Sequence, residues 1–194
     1  PATTDFTKQR QLGFEWVHMR NPLRENYLLD SRGLTLRATP GLISREDSQP
    51  TFVARRQEHI DFTATAPISL NNAKEGDEAG VTLFMTEGSH YDIYLTQNAN
   101  GKTELHLRYS LIMLQHEMPP IVLPSNSAVV RIKGDAEYYT FEYSVDGKAW
   151  NEIGKMNTRY LSSECAGGFT GVTIGLYAQS KHADTQATTT CEWF

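Results

Sequence analysis

Short runs in which apolar and polar residues alternate follow one another along most of this chain, and that restricts its fold more than any other feature. "LTLRA" (34–38), "FVARRQ" (52–57), "IDFTATA" (60–66), "VTLFM" (81–85) and "YDIYLTQ" (91–97) all carry the two-residue period of a half-buried strand. So do "TELHLRYSLIML" (103–114), which reads as one long strand, "AVVRIKG" (128–134), "YYTFEYSV" (138–145) and "VTIGLYA" (172–178). In "YYTFEYSV", Tyr139, Phe141, Tyr143 and Val145 share one face, and Thr140, Glu142 and Ser144 the other. Turn residues separate the runs at Asn98–Gly101, Gly134-Asp135 and Asp146-Gly147. Asp-Gly is a strong hairpin signal, because a primed turn needs positive φ at both central residues. Helical spacing is nearly absent, and only "TRYLSSE" (158–164) suggests a short helix. Roughly ten or more short strands joined by hairpins point to an all-β, antiparallel two-sheet β-sandwich, with a closed barrel as the alternative.

The 194 residues read as a single domain, 1–194, and the polar stretch "NNAKEGDEAG" (71–80) as an exposed loop within it. A net charge of −5 without a basic cluster gives no footprint for nucleic acid. The longest apolar run, "SLIML" (110–114), is strand-sized, so no membrane contact is expected. Cys165 and Cys191 are too few for a disulfide framework and read as buried thiols in strands, with a bridge between neighbouring strands still open. The chain starts at Pro1 without a signal-peptide pattern and stops inside the strand-like "TTTCEWF", as expected of a processed protein or a piece of a longer one. Cytoplasmic and periplasmic or secreted locations both stay open.

No catalytic signature emerges. His106 and His116 lack metal-site spacing, and no G-x-S-x-G, P-loop or G-x-G-x-x-G occurs. Asp92 and Glu104 are candidates to line a cleft, although solvated strand-face charge is the plainer reading. "SVDGKAWNEIG" (144–154) has the look of a calcium or Asp-box turn, but its adjacent Asp and Gly suit a hairpin that returns Trp150 to the core. Trp16, Tyr27, Tyr91 and Tyr94 supply flat apolar faces of the kind sugar rings stack on. "ECAGGFTG" (164–171) stands apart: Phe169 lies among Gly167, Gly168 and Gly171, just before a regular strand. Glycines there permit positive φ, and the loop either folds the ring into the core or presents it to something else.

Four segments together resemble the C-terminal concanavalin A-like β-sandwich of family 43 glycoside hydrolases, the β-xylosidase and arabinofuranosidase group. They are "DF" (5–6) with "LGFEWVHMRNPLRENYLL" (12–29), "EAGVTLFMTEGSHYDIYL" (78–95), "YYTFEYSVDGKAW" (138–150) and "YLSSECAGGFTGVTIGLYA" (160–178), and "TTTCEWF" is similar to the last strand. The resemblance implies a concanavalin A-like jelly roll acting as a non-catalytic accessory domain of a xylan-degrading enzyme, with the catalytic carboxylates on a β-propeller absent from this chain. It implies that the loop Gly167-Gly168-Phe169-Thr170-Gly171 helps close the propeller's active-site pocket. Trp16, Arg20, Asn21, Tyr27, Tyr91 and Tyr94 are then candidates for the interface or for a xylo-oligosaccharide or arabinoxylan-type carbohydrate. The chain departs from the family pattern at His18, in place of a second aromatic, and at Cys165 and Cys191, in place of apolar residues. No cofactor or catalytic metal is expected; a structural calcium near Asp5 and Glu192 stays open. Two other readings remain: a free-standing xylan-binding module, and a stand-alone lectin-fold hydrolase, whose E-x-D-x-x-E pattern the sequence lacks.

Overall fold

The computed structural model describes residues 2–194. The strands are β1 (Val17–His18), β2 (Tyr27–Asp30), β3 (Gly33–Arg37), β4 (Thr51–Arg56) and β5 (Phe62–Ser69). They continue with β6 (Asp77–Thr86), β7 (Ser89–Gln97), β8 (Thr103–Leu111), β9 (Leu114–Glu117) and β10 (Ile121–Val122). The last are β11 (Ser127–Gly134), β12 (Tyr138–Ser144), β13 (Asn151–Asn157), β14 (Thr173–Ser180) and β15 (Thr188–Cys191). One layer is an eight-stranded sheet in the order β1-β4-β14-β6-β7-β8-β10, with β9 paired to β8. The other layer combines β13-β12-β11-β5 with β15-β3-β2. Every strand pairing is antiparallel, as the hairpin pattern demands.

The two-residue period sends Val81 and Leu83 of β6, Tyr91, Ile93 and Leu95 of β7, and Leu105 and Leu107 of β8 into the space between the layers. Ala66, Ile68, Val130, Ile132 and Phe141 meet them from the second layer. The chain ends complete this core. Phe6 is fully buried, its ring tilted against Trp16, and Phe194 meets Trp16 edge-on at 5.4 Å. Thr4 and Phe194 exchange two backbone hydrogen bonds, closing the ends onto each other.

Several details differ from the sequence reading. The run 103–114 is a hairpin, turned at Ile112 (φ +57°) and Met113, with Leu111 opposite Leu114. The loop read over 71–80 ends at residue 76. Asp77 opens β6 and is fully buried, accepting hydrogen bonds from the Ser180 and Thr185 hydroxyls and the Lys74 amide. In the Asp146-Gly147 turn only Gly147 has positive φ (+75°), because the Asp146 carboxylate organises a longer loop by accepting from the Lys148 and Ala149 amides. Trp150 is not core: Arg131 covers its ring at 3.8 Å. Cys165 is exposed on the short helix α1 (Ser163–Ala166), whereas Cys191 is buried in β15, so the two thiols are free. The helical turn expected over 158–164 is a 3-10 turn, Thr158–Leu161, running into α1.

Candidate functional site

The loop between α1 and β14 presents the ring of Phe169 wholly to solvent, at 106% of its reference exposure. Gly167, Gly168 and Gly171 all hold left-handed backbone, with φ of +74°, +84° and +73°. A side chain at any of the three would be strained, which is why the sequence spends glycine there. The loop is nevertheless tied at its base: Arg56 Nη1 donates to the Thr170 carbonyl at 2.9 Å, and the Gln57 amide to the Val172 carbonyl at 2.9 Å. Of the two fates open to Phe169, the structure shows presentation.

Strand register places other loops at the same end. Thr173 pairs with Arg56 and with Phe84, His90 pairs with Phe84, and Leu111 pairs with Ser89. The β6–β7 and β8–β9 turns therefore flank the glycine-rich loop. At the second of these, Ile112, Met113 and Leu114 are 70%, 94% and 77% exposed. β1 begins with Val17 opposite Ala54 and runs antiparallel to β4, so Phe14, also fully exposed and three residues earlier, lies towards this end too.

The large sheet's second face carries a connected polar network. His90, Asp92 and Tyr94 of β7 stand beside His106 and Arg108 of β8 and Glu78 of β6. Arg108 sits at the centre: its Nε donates to Asp92 at 2.8 Å and its Nη2 to Glu78 at 2.7 Å. Burial opposes the guanidinium charge, but Asp92, Tyr177 and Glu78 outweigh it and push Arg108 above its ordinary range. Burial likewise raises Asp92, yet His90 and Arg108 more than compensate, holding its carboxyl well below the usual carboxylate range. Tyr94 lies under both Arg108, 4.5 Å above its ring, and the His106 ring, stacked at 5.3 Å. Its hydroxyl donates to Glu117 at 2.9 Å. His106 bonds Glu117 through Nδ1 (3.1 Å) and Glu104 through Nε2 (2.9 Å). Burial lowers the His106 pKa, but hydrogen bonds to Glu117 and Glu104 outweigh that, and the net shift is upward. Between β4 and Gln97 this face is unequally covered. Ile43, from the loop before β4, is buried against Phe52, Tyr94 and Tyr177, and its amide donates to Gln179. The β6–β9 half stays open as a cleft of approximately 620 Å³.

The sequence model of the family described as the β-xylosidase C-terminal concanavalin A-like domain matches residues 3–194. The chain belongs to this family. A curated relative, the non-reducing end α-L-arabinofuranosidase BoGH43B of Bacteroides ovatus, is 31% identical over 197 residues, covering all of this chain and 36% of its own length. The xylan 1,3-β-xylosidase of a Vibrio species is 26% identical over 182 residues, covering 86% of this chain and 33% of its own. The chain thus spans about a third of the length of the curated relatives it matches. The solved structure of the Bacteroides ovatus xyloglucan-locus GH43B superposes with a TM-score of 0.90 at 30% identity, over 100% of this chain and 38% of that one. A xylan β-1,4-xylosidase from Bacillus halodurans reaches 0.89 at 19% identity, over 100% and 38%, which speaks for the fold alone.

The fold scatters the other residues that the sequence singled out. Trp16 (5% exposed) and Tyr91 (0%) are core, so neither offers a ring face to a sugar. Tyr94 is buried beneath His106 and Arg108, which corrects its reading as a stacking platform. Tyr27 is half-buried, its hydroxyl accepting from the Phe52 amide at 2.9 Å, with the edge of His18 on its ring. Arg20 pairs with Glu87 and donates to the Ser48 carbonyl, with φ of +54°, while Asn21 is exposed beside it. Asp5 caps the turn Phe6–Lys8 and pairs with Lys8. Of the two carboxylates noted as cleft candidates, Glu104 lines the cleft, and Asp92 lies buried beneath it. Sequence reasoning missed Glu78, Arg108 and Glu117. Their only signal was that alternate positions of neighbouring strands were charged on one face.

Proposed function

We propose that this domain docks on the catalytic β-propeller of a family 43-type glycosidase and completes its active-site pocket with Phe169. The observation that carries the reading is a fully exposed phenylalanine on a loop shaped by three left-handed glycines and anchored at its base. Burying such a ring stabilises by roughly 1.5–3 kcal/mol, so leaving it in water is a cost unless a partner covers it. Ile112, Met113 and Leu114 extend the same end with further exposed apolar surface. At a pocket mouth the ring would exclude water and narrow a subsite, strengthening electrostatics within. The relatives' names, arabinofuranosidase and xylosidase, supply the substrate class for the whole enzyme.

The test is Phe169→Ala in the complete enzyme. The expected result is a fall of about tenfold or more in kcat/KM on short xylo-oligosaccharides or arabinosides, with an unchanged melting temperature. Unaltered kinetics would overturn the proposal.

A further inference from the structure

We infer that the cleft over β6–β9 is a binding site for a neutral oligosaccharide. None of the glycine-rich loop residues lines it. Its volume, approximately 620 Å³, lies within the range of small-ligand pockets. Its floor is Glu78, Tyr94 and Arg108, and one wall is His106, Gln115 and Glu117.

The floor is rigid. Arg108 is held by Asp92 and Glu78, and the Glu78 carboxylate also accepts from the Tyr177 hydroxyl at 2.9 Å and the Gln179 amide at 2.8 Å. His106 is pinned at both ring nitrogens by Glu117 and Glu104 and lies flat on Tyr94. Desolvating such an ionic array is a poor way to stabilise a sheet, and replacing one by apolar residues is often neutral or favourable. Preorganised polar groups at fixed spacing are, however, what a hydroxyl-rich ligand needs, since each hydroxyl both donates and accepts. His90 adds an independent sign. It is 98% buried by its 2% exposure, lines the cleft and gives Nδ1 to Asp92, while Nε2 has no partner among the described residues.

Charge selects the ligand class. The lining holds four carboxylates, Glu75, Glu78, Glu104 and Glu117, against two permanent cations, Arg108 and Lys181. That balance repels a uronic or phosphorylated chain and favours hydroxyl donors to carboxylate acceptors.

Titration of the chain itself with xylohexaose and cellohexaose, by calorimetry and by NMR of the His106 ring, tests the inference. The measurement needs no propeller, so its outcome is independent of the role proposed for Phe169. Binding with a Kd of about 1 mM or tighter to at least one of them is expected, with His106 resonances shifting along the same isotherm. Gln115→Ala, an exposed position on β9, and Glu117→Gln should each weaken it about tenfold while the chain stays folded. Three results would overturn the inference: no heat and no shift from either sugar at about ten times that concentration, tighter binding of oligogalacturonate than of the neutral sugars, or full affinity in both variants.

Discussion

The His106 imidazole bridges two carboxylates, and its stability contribution has a definite sign. Because hydrogen bonds to Glu117 and Glu104 outweigh burial, its folded pKa lies above the ordinary histidine value. The contribution is therefore complete below about pH 6.5 and is lost as pH rises through the folded value. Denaturant midpoints measured from pH 6 to pH 9 should fall across that window, and His106→Gln should flatten the fall. Asp92 has the opposite sense. Its carboxyl is depressed, so its contribution is present above its ordinary pKa and disappears as pH drops towards the folded one. Asp92→Asn leaves Arg108 and His90 facing an uncharged partner in a buried setting, and should cost about 3–5 kcal/mol in chemical denaturation. Trp16 makes a contrasting case. Wedged between Phe6 and Phe194, it should cost about 3–5 kcal/mol as Trp16→Ala by the same measurement. Its sequence context suggested a sugar platform only because a motif shows residue type and spacing, not burial.

Among the elements, the β8–β9 hairpin was the least legible. Nothing in "SLIML" resembles a turn, and Ile112 adopts φ of +57°, a conformation that costs a β-branched residue about 1–2 kcal/mol. The turn forms because pairing from Leu111–Leu114 out to Arg108–Glu117 aligns Glu117 with His106 and Tyr94. Ile112→Gly should stabilise the isolated chain by about 0.5–1 kcal/mol, the relief of strain exceeding glycine's entropic cost. A melting temperature that falls instead would mean the Ile112 side chain contributes to folding in the isolated chain. The glycine-rich loop was readable for the converse reason. Gly167, Gly168 and Gly171 advertise left-handed backbone directly, and each adopts it.

At the scale of the whole molecule, the two chain ends act as one clasp. Thr4 and Phe194 pair through their backbones, the Phe6 amide donates to the Glu192 carbonyl, and Phe194 closes over Trp16. Removing residues 192–194 should uncover the Phe6–Trp16 pair and lower the melting temperature by several degrees, at roughly 2–4 °C per kcal/mol lost for a domain of this size. The sequence by itself determined most of the long strands, the positions of three turns between them, the antiparallel two-layer plan and the glycine-rich character of the loop that carries Phe169. A period of two assigns residues to faces, and positive φ selects glycine, both through short-range sterics. What only the tertiary structure decided was which faces are covered. Strand β14 inserts between β4 and β6, and the loop bearing Ile43 folds over their second face. Tyr94 and Asp92 are buried on that account, and the charged half of β7 and β8 becomes a walled cleft instead of a solvated surface. Alternation says which side chains point together. Contacts between segments far apart in sequence determine what they meet.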